Sequence, residues 1–125
     1  MEAYNRLSIL ALLKSSFSGI SDKMFLTDRP TSTTSQSDSF SVIKIGDMEN
    51  LNAYGSSYVT IRAFAKDTDD GLERTNILSN MEQSIYSILP LNNTLFYTCN
   101  PKSMESKSDG NGFHYLTIFF DIILK

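Results

Sequence analysis

Two stretches of strict alternation limit what this chain can fold into. In Phe113 to Leu124, Leu116, Ile118, Phe120, Ile122 and Leu124 fall on one side of an extended backbone, and Tyr115, Thr117, Phe119, Asp121 and Ile123 on the other. In Ser57 to Lys66, Val59, Ile61, Ala63 and Ala65 make a uniform apolar face opposite Tyr58, Thr60, Arg62, Phe64 and Lys66. Each segment predicts a long strand covered well on one side and partly on the other. Such apolar faces need a second layer against them.

Helices supply that layer. From Glu2 to Phe17, Ala3, Leu7, Leu10, Ala11 and Leu13 recur at spacings of three and four, and Ile9 and Leu12 widen the stripe. A second helix is predicted from Gly71 to Leu89, with Ile77, Leu78, Met81, Ile85, Ile88 and Leu89 as its buried stripe and Pro90 as its stop. Asp70 and Glu73 have capping-box spacing, and the acidic run Asp67 to Asp70 suits a helix N-terminus. Shorter strands are expected at Lys23 to Thr27, Phe40 to Ile45 and Thr94 to Cys99. Asp28-Arg29-Pro30 reads as a turn, and Gly46 to Gly55 as a polar connection. Thr31 to Ser39 and Asn100 to Gly112 are polar, and Asp109-Gly110-Asn111-Gly112 is a strong turn signal. The expected architecture is a single α+β domain over residues 1–125. It holds a mostly antiparallel sheet of four to five strands packed with two helices, and flexible polar loops near 29–39 and 101–112.

Composition excludes more than it assigns. At 125 residues the chain has the size of one domain and needs no staples. Its net charge of −3 lacks the footprint of a general nucleic-acid binder. A single cysteine, Cys99, allows no internal disulfide and no thiolate metal set. The run Leu7 to Leu13 reads as a helix face rather than a secretory signal, and no stretch approaches the ~20 apolar residues of a membrane span.

The candidates for chemistry are weak. His114 is the one histidine and reads as a surface or packing residue. Cys99 has no basic neighbour in sequence closer than Lys102 and reads as a small buried hydrophobe. Asp67, Asp69 and Asp70 begin like a calcium loop, but Gly71 is followed by Leu72-Glu73-Arg74 and the oxygen ligands stop. No glycine-rich phosphate loop is present. No catalytic residue, metal or cofactor is expected, and the chain is not expected to be an enzyme. Arg62, Phe64 and Lys66 mix charge with aromatic character, which suits a partly covered sheet face or a subunit contact.

The order of elements resembles the tail-terminator, or tail-completion, proteins of long-tailed bacteriophages. The likeness lies in the opening helix, the polar excursion, and the strand ending Tyr58-Val59-Thr60-Ile61-Arg62-Ala63-Phe64-Ala65. It continues through the acidic turn Asp67 to Asp70, the helix Leu72 to Leu89, and the closing strand Phe113-His114-Tyr115-Leu116-Thr117-Ile118-Phe119-Phe120-Asp121-Ile122.

The resemblance implies a structural virion protein that forms a ring, usually hexameric, on the end of the tail tube and joins tail to neck. Its expected place is the virion tail or neck, and the host cytoplasm during assembly. Its expected partners are further copies of itself, the tail tube protein and a neck or head-completion protein. DNA meets it only in transit through an acidic lumen, and no membrane is involved. Tyr58, Arg62 and Phe64 are the candidates for lateral contact, and Ser35, Asp38, Lys102 and Lys107 for axial or loop contact. Two other readings compete: a neck or head-completion ring subunit, and a small-ligand-binding α+β domain with a pocket between helix and sheet.

Overall fold

A computed structural model of the chain describes residues 6–21, 23–26, 39–46 and 56–125. In chain order it comprises α1 (Arg6–Phe17), β1 (Lys23–Leu26), β2 (Ser39–Ile45), β3 (Ser56–Lys66), α2 (Thr75–Ile88), β4 (Phe96–Ser103), β5 (Lys107–Ser108) and β6 (Phe113–Leu124). The main sheet runs β1-β2-β3-β6-β4, with β5 pairing β6. The β2–β3, β3–β6, β4–β6 and β5–β6 pairs are antiparallel, and β1 pairs with β2 in parallel. This is the expected α+β architecture, with a mostly antiparallel sheet.

The two long alternating segments lie side by side at the centre, with Ile61 opposite Ile118 and Val59 opposite Phe120. Their apolar faces share one side. There they join Ile43 and Ile45 of β2, Ile9, Leu10, Leu13 and Phe17 of α1, and Leu78, Met81 and Ile85 of α2 in one buried core. Both helices therefore cover the same face. Val59, Ile61, Ala63 and Ala65 are all fully buried, as their uniform alternation predicted. Phe17 meets Phe120 with ring centroids 6.1 Å apart, which seats the end of α1 on β6.

The α1 stripe matches the sequence reading at Ile9, Leu10, Leu12 and Leu13 and departs from it at Ala11. Ala11 is exposed, and Ile9, Leu10, Leu13 and Phe17 carry the contact. Ala3, the turn at Asp28-Arg29-Pro30, most of the Thr31 to Ser39 loop and residues 47–55 of the polar connection lie outside the described residues.

Helix α2 begins at Thr75, not Gly71. Its N-cap is Arg74, with no side-chain cap, so the Asp70–Glu73 capping box does not form. The residues ahead of it are already committed to a tight turn. The Gly71 amide donates to the Thr68 carbonyl, and the Thr68 amide to the Leu72 carbonyl. The Leu72 amide also donates to Thr68 Oγ1, and Gly71 supplies the positive φ of 78° that closes the turn. Strand β4 runs past its expected end at Cys99 to Ser103. The Asn100-Pro101 step is absorbed by a register irregularity between Cys99 and Lys102, with Asn100 at φ 56°. Lys107–Ser108 forms the short β5, so residues 101–112, expected as a loop, are largely strand and hairpin. The predicted turn is present. Asp109 Oδ1 accepts from the amides of Asn111 and Phe113, and Gly110 and Gly112 both have positive φ.

Candidate functional site

With both helices on one side, the other face of the sheet is the natural place to look for a contact surface. Register assigns its residues row by row. Phe40, Phe64, Tyr115 and Lys107 lie across β2, β3, β6 and β5. Val42, Arg62 and Thr117 form the next row, then Lys44, Thr60, Phe119 and Lys102, then Tyr58, Asp121 and Cys99, and finally Ile123 with Tyr97.

The face has two unlike ends. At one end Phe40, Val42, Phe64 and Phe113 form a second buried cluster, with Phe25 and Tyr115 packed against it. Phe40 stacks on Phe64 at 4.4 Å between centroids and 8° between planes, and meets Phe113 edge-on at 5.3 Å. At the other end the surface is open. Tyr58 is 51% and Tyr97 41% exposed, with half-buried Phe119 and Ile123 between them. Arg62 marks the border, its guanidinium carbon 5.6 Å from the Tyr115 ring centroid. Asp121 accepts a hydrogen bond from Asn100 Nδ2 at 3.1 Å. A shallow depression of about 360 Å³ opens here between Asn100, Pro101, Lys102, Phe119 and Asp121.

The lateral-contact candidates therefore divide. Tyr58 and Arg62 are exposed and share the face, but Phe64 is only 4% exposed and belongs to the aromatic cluster. A strand's alternation assigns a side chain to a face; the rings of Phe40, Phe113 and Tyr115 decide whether it is covered. Of the axial candidates, Lys102 and Lys107 are exposed on this same face, on β4 and β5. Ser35 and Asp38 lie outside the described residues.

Gly46, read from the sequence as the start of a polar connection, makes a close contact instead. A Cβ there would stand 2.4 Å from Tyr58 Cε1, and the Gly46 amide donates to the Tyr58 carbonyl at 2.7 Å. The absence of a side chain at Gly46 is what lets the Tyr58 ring lie where it does.

On the helix side, His114 has a partner that its sequence neighbourhood hides. Its Nδ1 is 2.6 Å from Asp67 Oδ1, joining the start of β6 to the end of β3. Beside it Glu73 accepts hydrogen bonds from Ser106 Oγ and from Thr75 Oγ1, the latter at 2.7 Å. The Ser106 hydroxyl, then Thr75, hold the Glu73 carboxyl below its ordinary range, with a smaller contribution from His114 and an opposing one from burial. Triad chemistry would need a hydroxyl that donates to the imidazole, whereas the Ser106 hydroxyl donates to Glu73. The network ties the β3–α2 turn to the β4–β5 connection. Asp69 and Asp70 stay exposed in that turn.

Cys99 is half-buried rather than enclosed. It lines a cleft of about 360 Å³ with Tyr86, Leu89, Pro90, Thr98, Asn100, Pro101 and Phe120, between the end of α2 and β4. Among the described residues no helix is long and apolar enough to cross a membrane.

No family model matches this chain, and none of the curated proteins compared with it is a match.

Proposed function

We propose that this chain is a structural subunit of a tailed bacteriophage that caps the tail tube as an oligomeric ring and joins tail to neck. The observation that carries the reading is the one-sided cover of the sheet. Two helices bury one face, while the opposite face presents Tyr58, Arg62 and Phe119 from two strands of 11 and 12 residues and Tyr97 from β4 beside them. A ring subunit needs such a surface for its neighbour and a separate one for the tube end. The resemblance in element order to tail-terminator proteins supplies the biological setting.

The test is to add the purified chain to polymerised tail tubes and examine them by negative-stain electron microscopy, with native mass measured alongside. The expected result is a ring at tube ends, arrested tube growth, and a particle of about 84 kDa, six 14.0 kDa subunits. Binding to isolated neck complexes with no binding to tubes would move the chain to the neck. A chain that stays at its subunit mass and binds neither overturns the ring reading.

A further inference from the structure

The charges of the described residues are sorted by surface. On the open face of the sheet stand Lys44, Arg62, Lys66, Lys102 and Lys107, all exposed. Lys23 of the edge strand shares that face. Among the described residues the one carboxylate in register with them is Asp121, which Asn100 holds. The chain as a whole nonetheless carries a net charge of −3.

Five of the other acids among the described residues cluster elsewhere. Asp67, Asp69, Asp70 and Glu73 occupy the connection from β3 to α2. Glu105 lies in the β4–β5 connection, whose Ser106 bonds to Glu73. Arg74, and His114 when protonated, are the cations beside them. This acidic shoulder leads from the end of the sheet toward the helix layer, so it looks in a different direction from the open face.

We infer that the basic open face of one copy docks on the acidic shoulder of the next. The inference rests on the ring reading above and names the partner surface. Like charges exclude the simplest alternative, two open faces packed together, because six exposed cations would meet six. Opposite charges on two differently directed patches give a heterologous head-to-tail contact, the kind that closes into a ring when the rotation allows. Tyr58, Phe119 and Tyr97 supply its apolar centre and the cations its rim, where charge sets register and orientation.

The experiment is a charge exchange on the full chain, read as native mass by light scattering at rising salt. One variant carries Lys44→Glu with Arg62→Glu; the other carries Asp69→Lys with Asp70→Lys. These positions are exposed, and circular dichroism of each variant checks its fold. The wild-type oligomer is expected to dissociate as salt rises from about 0.1 M to about 1 M, where the screening length falls from ~10 Å to ~3 Å. Each variant alone is expected to be monomeric at low salt. An equimolar mixture is expected to regain the oligomer, because each altered patch then meets an opposite one. Variants that assemble like wild type, with no salt dependence, overturn the charge-matched contact and leave the ring reading standing. A wild-type chain that is monomeric at low salt yet forms rings on added tubes also overturns it, and assembly is then templated. Monomers that bind a DNA oligonucleotide, with the affinity lost in the Lys44→Glu, Arg62→Glu variant, reassign the face to nucleic acid and overturn it.

Discussion

Replacing Phe40 by alanine tests whether the aromatic end of the open face is a second core or surface. Phe40 is fully buried although it points away from both helices. Its ring touches Phe64 at 4.4 Å, Phe113 at 5.3 Å and Phe25 at 5.9 Å, stacked in the first case and edge-on in the others. Truncating a buried Phe to Ala costs roughly 3–5 kcal/mol. Ring pairs add ~0.5–1.5 kcal/mol each beyond their buried area, so three partners place Phe40→Ala toward the top, at about 4–5 kcal/mol. Phe119→Ala, on the same face but only half-buried, should cost about 1 kcal/mol. In urea unfolding, with a slope of ~2 kcal/mol per M for a chain of this size, the Phe40 variant should lose about 2 M in midpoint at unchanged slope. A loss below about 0.5 M, or one equal to that of Phe119→Ala, would refute the second core. The open face would then be surface from end to end.

Three further perturbations follow from contacts described above. Gly46→Ala should destabilise by about 1–2 kcal/mol, since its Cβ would collide with the Tyr58 ring, and the cost should vanish in a Tyr58→Ala background. A double-mutant cycle of urea midpoints reads this, and additive losses would count against it. Ser106→Ala should raise the Glu73 pKa toward its ordinary 4.5, followed by carboxyl NMR titration. Because the folded value is depressed, Glu73 stabilises the fold above pH 4.5 and loses that contribution as pH falls through its folded pKa, so the variant should show a weaker acid dependence just below pH 4.5. Asp67→Asn should cost about 1–2 kcal/mol by weakening the tie to His114, and the loss should be non-additive with His114→Ala.

Much of the fold was legible because its strongest signals are local. The period of two in β3 and β6, the helical spacing in α2 and the Asp109–Gly112 turn each depend on residues close in sequence. What was misread depends on residues brought together from afar. Asp67 and His114 are 47 positions apart, so no local pattern pairs them. Asn100-Pro101 is a sound loop signal, yet β6 alongside holds β4 in register on both sides of the irregularity. The capping-box spacing of Asp70 and Glu73 was real, but the Thr68–Leu72 turn had already taken those residues out of helical geometry. Phe64 shows the limit for the site itself. Its parity with Tyr58 and Arg62 was right, and its burial was set by Phe40 from the neighbouring strand.

The same pairing explains why one end of the open face is closed and the other exposed. Register puts Phe40 beside Phe64 and Tyr115, so large rings on three strands pack on one another at that end of the face, where no helix lies among the described residues. Two rows further on, Lys44, Thr60, Phe119 and Lys102 meet, and long charged chains flank a single ring. Lysine stems can shade a ring while their ammonium groups stay in water, so this end remains hydrated in the isolated chain. Covering it requires a partner that satisfies the cations as well as the rings. An apolar partner would strand those charges, whereas an acidic surface with some hydrocarbon of its own would not. Under the ring reading proposed above, the sequence of β2, β3 and β6 sets the partner's chemistry as well as the fold: negative at the rim and apolar at the centre.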